Sequence, residues 1–219
     1  MTLPIYAVYG SSGYGREVMP LARDQLQRQG VSAEQLVFVD DQPKAQRLNG
    51  HRVLRYAEFM QFAASERHVV LAIANSVVRE KLSRLCVGDG VQSWTVVAAN
   101  AVTLDNVLVG EGAVLSSFTM ITSDVRIGNY FQANIYSYVA HDCLIGDYVT
   151  FAPGVKCNGN VVVEDHAYIG TGAIIKQGRP DQPIVIGRGA VVGMGAVVTR
   201  SVPAGITVVG NPAKPFITS

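Results

Sequence analysis

The sequence is poor in the residues that mark several common classes of protein. Its 3 cysteines include no CxxC pair, so no disulfide framework is predicted. Its 18 Lys and Arg are balanced by 17 Asp and Glu without a basic block, which argues against a nucleic-acid-binding protein. No apolar run approaches the ~20 residues that cross a bilayer, and "MTLPIYAVYG" lacks the features of a signal peptide. We therefore expect a cytoplasmic protein with reduced thiols and no membrane insertion.

The first part of the chain alternates strand-like and helix-like patterns. Apolar runs predict strands over residues 5–10, 36–40 and 68–75, and apolar periodicity predicts helices over residues 14–29 and 76–87. Pro20 lies inside the first helical segment and predicts either a kink or a less regular helix. This alternation predicts a small parallel α/β sheet, which we assign to a domain of residues 1–97.

A glycine-rich loop, "YGSSGYGRE", joins the first strand to the first helix. Its glycines allow a tight turn, and the helix N-terminus offers free N–H groups to a phosphate. Asp40 and Asp41 end the second strand 25 and 26 residues after Gly15, near the acidic position that binds ribose in dinucleotide folds. The spacing is compatible with a nicotinamide dehydrogenase, but ~95 residues lack the second half of such a domain. A third interpretation is that the two carboxylates only cap the strand.

From about residue 100 the pattern changes to a period of six. Neither an α-helix nor a simple strand has that period, whereas stacked turns of a solenoid can bury one apolar residue per hexad. Cys143 and Cys157 fall on inward positions and are predicted to lie in the core. The period resumes at Ile186 after the loop "KQGRPDQP". The repeated positions before that loop are Val109, Leu115, Ile121, Ile127, Ala133, Val139, Ile145, Phe151, Cys157, Val163, Ile169 and Ile175.

The segment "YVAHDCLIG" places His141 at the third position of its hexad, and Gly159 occupies that position 18 residues later. Neighbouring coils of a parallel solenoid are ~4.8 Å apart, so the Gly159 backbone should lie beside the imidazole. A histidine is suited to general-base catalysis near neutral pH, and a backbone N–H can stabilise an oxyanion. Asp142 could orient the ring if it lies at a corner of the coil. The structural alternative is a polar pair at a turn.

These features resemble a known family. The hexads look like the hexapeptide repeat of acyltransferases, and "SVPAGITVVGNPAKPF" is similar to the segment that closes their β-helix. As a whole, the chain resembles the NeuD/PglD-like bacterial sugar acyltransferases. The resemblance implies a nucleotide-binding α/β domain with a small Rossmann-like parallel sheet, followed by a left-handed parallel β-helix of hexapeptide repeats over residues 98–219. It also implies a homotrimer with active sites at the subunit interfaces.

The resemblance also assigns roles to individual positions. It implies that His141 is the catalytic base, followed by Asp142, that Gly159 donates to the acetyl oxygen, and that Asn134 contacts the substrate. The nucleotide-linked sugar would contact Ser12, Gly13, Tyr14, Asp40 and Asp41. Acetyl-CoA would lie along Gly159, Tyr168, Gly170, Thr171, Gly193 and Met194, with Lys214 as a further candidate for its phosphates.

The function expected from this resemblance is acetyl transfer from acetyl-CoA to the amino group of a nucleotide-linked aminosugar, without a metal. An O-acetyltransferase acting on a sialic acid or another sugar is the nearest alternative, because a hydroxyl acceptor needs the same base. A zinc site of the carbonic anhydrase type needs about three histidines, whereas the repeats hold only His141 and His166, out of register. A nucleotide-sensing or scaffold trimer is the non-enzymatic alternative.

Overall fold

The computed structural model describes residues 2–216, which form two compact units divided between Ala99 and Asn100. Within residues 2–216, no helix is both long and apolar enough to cross a membrane. The first unit is an α/β sheet, and the second is a parallel β-helix with three faces. The predicted fold class is confirmed in both parts.

The first unit has a six-stranded sheet with the strand order β3-β4-β2-β1-β5-β6. The β1, β2, β4, β5 and β6 strands are parallel, and β3 pairs with β4 as an antiparallel hairpin at one edge. The central strands are apolar on both faces, which is typical of parallel sheets covered by helices. The elements are β1 (Ile5–Tyr9), α1 (Gly13–Arg28), a 3-10 turn (Ala33–Gln35), β2 (Leu36–Val39), β3 (Arg47–Leu48), β4 (His51–Leu54), α2 (Tyr56–Gln61), β5 (Arg67–Leu71), α3 (Ser76–Gly88), β6 (Gln92–Ser93) and β7 (Val96–Val97).

Two details of the first unit differ from the prediction. The third predicted strand ends at Leu71, because Asn75 caps helix α3 by accepting a hydrogen bond from the Val78 N–H. The β3–β4 hairpin and α2 were not predicted, since each is short and carries many charged residues. Pro20 lies within α1, which nevertheless continues to Arg28.

The second unit winds through three parallel sheets in turn. Sheet I contains β10 (Val114–Leu115), β13 (Gln132–Ala133), β16 (Thr150–Phe151), β19 (Tyr168–Ile169), β22 (Val191–Val192), β24 (Thr207–Val209) and the antiparallel β25 (Lys214–Pro215). Sheet II contains β8 (Val102–Thr103), β11 (Met120–Ile121), β14 (Tyr138–Val139), β17 (Lys156–Cys157), β20 (Ile174–Ile175) and β23 (Val197–Val198). Sheet III contains β9 (Val107–Val109), β12 (Val125–Ile127), β15 (Leu144–Ile145), β18 (Val161–Val163) and β21 (Ile184–Ile186).

The period-six prediction describes the core of this β-helix well. Every repeat position from Leu115 to Ile175 is at most 5% exposed. Each strand from β10 to β17 pairs with the strand 18 residues later, as in Val139 with Cys157. Across the loop of residues 176–183 the spacing is 23 residues, as in Val163 with Ile186. Val109, in the first coil of this series, is only half-buried. Cys143 and Cys157 are both buried, as predicted. The side chains between the strands therefore lie at three corners, which we name by the sheets that they join.

Candidate active site

His141 and Asp142 form a hydrogen-bonded pair at the II–III corner. The His141 Nδ1 atom lies 2.7 Å from Asp142 Oδ2. Adjacent residues of a strand point to opposite faces, but Asp142 has a φ of 57°, which turns its side chain back toward the imidazole. With Nδ1–H donating to the carboxylate, Nε2 remains as the acceptor. Both side chains are about half exposed, at 49% and 55%, so a ligand can reach the ring.

Gly159 lies against the imidazole, one coil further along the II–III corner. A Cβ atom at this position would be 2.5 Å from both Cε1 and Nε2 of His141, so any side chain would displace the ring. The His141 carbonyl accepts a hydrogen bond of 3.1 Å from the Asn160 N–H, which holds the two coils in register. Among residues 2–216, no group accepts the Gly159 N–H. The arrangement thus combines a base with a neighbouring backbone donor.

The two cysteines behind this turn are not suited to nucleophilic catalysis. Cys143 Sγ donates to the Asn158 carbonyl at 3.2 Å and is fully buried. The hydrogen bond with Cys143 and complete burial raise the pKa of Cys157. A thiol is reactive when it is exposed and its pKa is low, and Cys157 is the opposite in both respects. The hydrogen bond with Cys157 lowers the pKa of Cys143, but this thiol is fully buried and no ligand can reach it. The chemistry of this corner therefore rests on the histidine.

Asn134 lies at a different corner, between sheets I and II. Its Nδ2 atom donates to the Phe151 carbonyl at 2.8 Å, which leaves Oδ1 as the side-chain group available to a ligand. The predicted acetyl-CoA residues, apart from Gly159, gather on this side of the helix. Tyr168 projects from β19, Gly170 and Thr171 follow it at the I–II corner, and Gly193 and Met194 occupy the next coil.

Close packing of these coils explains why a glycine occupies position 170. A Cβ at Gly170 would lie 2.6 Å from the Met194 N atom and 2.7 Å from the Val192 O atom, so the coils could not approach as they do. Met194 is 81% exposed, and the exposed Lys214 is on β25, which pairs with β24 at the edge of sheet I. These residues border an open surface at the I–II corner.

The two corner sites are not brought together within one chain. His141, Asp142 and Gly159 form one group at the II–III corner, whereas Asn134 and the residues around Gly170 form another at the I–II corner. A strand of sheet II and its flanking residues separate the corners, a distance of roughly 15–20 Å at ~3.3 Å per residue. A ligand that contacts both groups within a single chain would have to cross that face.

The glycine-rich loop of the first unit is held by Asp40. Its carboxylate accepts hydrogen bonds from the Ser11 N–H at 3.0 Å, from the Ser11 hydroxyl and from the Gln42 N–H at 2.9 Å. Burial opposes ionisation, but these hydrogen bonds lower the pKa of Asp40 below its ordinary value. Asp41 accepts from the Tyr9 hydroxyl at 2.8 and 2.9 Å. Because β1 and β2 are parallel neighbours, their carboxyl ends bring the loop and both carboxylates to one edge.

A cavity of about 460 Å³ lies at this edge, within the usual size range of small-molecule sites. It is lined by the predicted Ser12 and Asp40, and also by Ser11, Arg16 and Lys44. A neighbouring cavity of about 690 Å³ shares Lys44 and is bordered by three further arginines: Arg47, Arg52 and Arg55. These cations were not predicted from the sequence. Arg16 directly follows the glycine loop and Lys44 follows the acidic pair, which is the signal that could have identified them.

Gly13 and Tyr14, the other predicted contacts of this loop, are not among the residues that line the cavity. Gly13 has open space around the position of a Cβ, whereas a Cβ at Gly15 would overlap the Gly10 carbonyl. Tyr14 does not line the cavity: burial raises the pKa of its hydroxyl, and within the described chain that oxygen has no hydrogen-bond partner. Its predicted contact with a ligand remains a prediction.

Comparison with known proteins identifies the family. Residues 6–85 match the family described as PglD N-terminal domain. Over 210 residues the chain is 50% identical to the GDP-perosamine N-acetyltransferase of Escherichia coli O157:H7, covering 96% of this chain and 95% of that protein. The chain belongs to the NeuD/PglD-like family of nucleotide-sugar N-acetyltransferases.

Solved structures of NeuD/PglD-like proteins match the chain over nearly its full length. WeeI from Acinetobacter baumannii AYE has a TM-score of 0.95 and 60% identity, covering 97% of this chain and 100% of that chain. The acetyltransferase domain of PglB from Neisseria gonorrhoeae FA1090, in complex with acetyl coenzyme A, has a TM-score of 0.86 and 27% identity, covering 99% and 100%. The chain is accordingly an N-acetyltransferase that uses acetyl-CoA, which confirms the predicted enzyme class.

Proposed function

We propose that the protein transfers the acetyl group of acetyl-CoA to the amino group of a GDP-linked aminosugar, and that this sugar is perosamine. The relative named GDP-perosamine N-acetyltransferase is 50% identical over both units, which supports the same acceptor here. The observation that carries the proposal is the contact of His141 with Asp142, which leaves Nε2 free beside the backbone of Gly159.

The reaction is a direct attack of the amine on the thioester. His141 Nε2 takes a proton from the amino group while the amine nitrogen forms a bond with the acetyl carbon. The Gly159 N–H donates to the oxygen that becomes negative, an interaction worth on the order of 10²–10³ in rate in other enzymes. Collapse of this intermediate breaks the carbon–sulfur bond, and the imidazolium returns its proton to the CoA thiolate. General-base catalysis contributes typically ~10²–10⁴.

A homotrimer would complete the site. We place Asn134, Tyr168, Gly170, Thr171, Gly193, Met194 and Lys214 of one subunit opposite His141 and Gly159 of the next, so that acetyl-CoA binds between them. The separation of the two corners in one chain supports a shared site, because either corner alone presents only part of the predicted contacts. Closed rings of identical subunits form such heterologous interfaces.

The cavity beside Asp40 is the proposed nucleotide site. The N-terminus of α1 at Ser12, Gly13 and Tyr14 would receive a phosphate, supported by the charges of Arg16 and Lys44. We assign the N–H donors of a guanine base to the Asp41 carboxylate, which adjoins the lining residue Asp40 but does not itself line the cavity. We place the reaction in the cytoplasm, in keeping with three free cysteines in the structure.

The assay measures CoA thiol release with GDP-perosamine, with UDP- and dTDP-linked aminosugars, and with a free hydroxy sugar. We expect turnover that is fastest with the GDP-linked amine and a loss of ~10²–10⁴ in kcat for His141→Asn. The matched control His166→Asn removes a histidine that stacks on Tyr148 at the III–I corner and should leave kcat unchanged. Preferred turnover of the hydroxy sugar would instead favour an O-acetyltransferase.

A further inference from the structure

The hexad period is interrupted once, and the interruption forms the wall of a cavity. Residues 176–183 connect β20 to β21 where other coils need only a short turn. The cavity has a volume of about 510 Å³ and lies at the II–III corner. Its polar lining includes Gln177, Gln182, Thr199 and Ser201. The loop is therefore a feature of the same corner that carries His141.

The charge of this cavity is positive. Lys176, Arg179 and Arg200 line it, and no acidic side chain of the described part of the chain does. Across residues 2–216, none of the three cations forms an ion pair with a carboxylate. Three exposed cations around one concave surface repel one another, and a ligand that carries several negative charges removes that repulsion.

The backbone of this loop is held by hydrogen bonds and by close packing. Arg179 and Gln182 exchange two backbone hydrogen bonds of 3.0 Å, and the Val185 N–H donates to Ser201 Oγ at 3.0 Å. A Cβ at Gly178 would overlap the Asn160 carbonyl and lie 2.7 Å from the Ile184 N atom, so the loop packs tightly on the coil below it. Its cations are consequently presented from a defined backbone.

The loop is also tied to the proposed catalytic residues. The Gly178 N–H donates to the Gly159 carbonyl at 3.0 Å, and Gly159 is the residue that contacts the imidazole. Coils rise by ~4.8 Å, so Gly178 lies two coils from His141 and Arg200 lies three coils away, or about 14 Å. The pantetheine arm of CoA has two amide units and flanking methylenes, about four extended residues in length, or ~14 Å.

We propose that Lys176, Arg179 and Arg200 bind the phosphates of CoA while its thioester lies at His141. The inference rests on the proposed function and adds to it the residues that recognise the nucleotide end of CoA at the II–III corner, which would form one wall of the acetyl-CoA site proposed between two subunits. Lys214 would belong to the facing wall, at the edge of sheet I of the neighbouring subunit. Arginine and lysine together suit a diphosphate and a phosphate monoester, because guanidinium groups bind phosphate bidentately.

The test measures binding of CoA, of 3′-dephospho-CoA and of pantetheine by calorimetry. The variant is Arg179→Gln/Arg200→Gln, with Lys176→Gln as a second variant. The matched control is Arg28→Gln/Arg84→Gln, which removes two surface arginines that form ion pairs with helix neighbours. We expect the Kd for CoA to rise at least ~10-fold in the first variant and less in the second, because each lost contact is a charge-assisted hydrogen bond. The Kd for pantetheine should not change.

An unchanged Kd for CoA in the first variant, or an equal loss for CoA and pantetheine, would overturn the proposal. A loss for CoA with 3′-dephospho-CoA unaffected would support it and assign the cluster to the phosphate monoester. The wild type distinguishes this proposal from the proposed function. If it binds CoA but acetylates no aminosugar, the proposed function fails and the binding comparison still decides the phosphate site; if it binds no CoA, both fail.

Discussion

His141 and Asp142 are adjacent in the chain, yet their side chains meet at 2.7 Å. The contact depends on the left-handed conformation of Asp142, with a φ of 57°, at the II–III corner. Asp and Asn adopt this conformation more readily than most other residues. The corner therefore selects both the position and the type of the residue that orients the base.

Asp142→Asn tests the orienting role. Asparagine tolerates the same backbone conformation, but its amide can donate to Nδ1 and thus stabilise the tautomer that carries its proton on Nε2. We expect kcat to fall about 10–100-fold, less than in enzymes where the equivalent carboxylate is buried. The control is Asp124→Asn, one coil earlier at the same corner, with a φ of 59° and no neighbouring histidine. If kcat is equal in Asp142→Asn and wild type, Asp142 does not act through the imidazole.

Gly159→Ala tests the contact between the coils at the base. The new methyl group would lie 2.5 Å from the imidazole, so the ring must move. A displacement on the order of 1 Å at a reacting group can cost ~10² in rate, and we expect that loss in kcat with the affinity for the nucleotide sugar retained. Gly88→Ala in α3, where a Cβ meets nothing within 4 Å, is the matched control and should not lose activity. Full activity of Gly159→Ala would mean that the imidazole works from another position.

The acid stability of the glycine loop follows from Asp40. Its lowered pKa means that its ionised form contributes stability above the ordinary Asp pKa of ~3.9, and that this contribution is lost as the pH falls through the lower value in the folded protein. We expect Asp40→Asn to have a lower Tm than wild type at pH 7 and the two Tm values to converge below about pH 4. Asp181→Asn, at an exposed loop position, should follow the wild-type curve. A constant difference between Asp40→Asn and wild type at every pH would contradict this account.

The period of six predicted the β-helix well because a narrow solenoid has only one way to bury its apolar residues. Val139 and Ile145 have to face inward, and the period alone therefore places His141 on the turn between them. The contact of Asp142 with the imidazole could not be predicted, because it depends on a positive φ that the apolar pattern does not encode. Residue spacing along a strand even argued against it.

Less of the candidate site in the first unit could be predicted from the sequence. The pattern located the loop and Asp40, since parallel neighbouring strands bring their carboxyl ends together. For Arg16 and Lys44 the sequence offers only their nearness to the loop and to the acidic pair, because whether long, flexible cations reach the cavity depends on how the chain folds back around it. For Tyr14, the position in the first helix was predicted from the sequence, but the burial of its hydroxyl was not.

Mixing two inactive variants tests whether one active site uses two subunits. His141→Asn lacks the base at the II–III corner, and Asn134→Ala lacks the amide at the I–II corner. If each site combines these corners from neighbouring subunits, random exchange gives about a quarter of the sites both intact residues, and the mixture regains about a quarter of wild-type kcat. If each site lies within one chain, every chain carries a defect and no activity returns. The measurement is CoA thiol release after denaturation and joint refolding, with each variant refolded alone as the control.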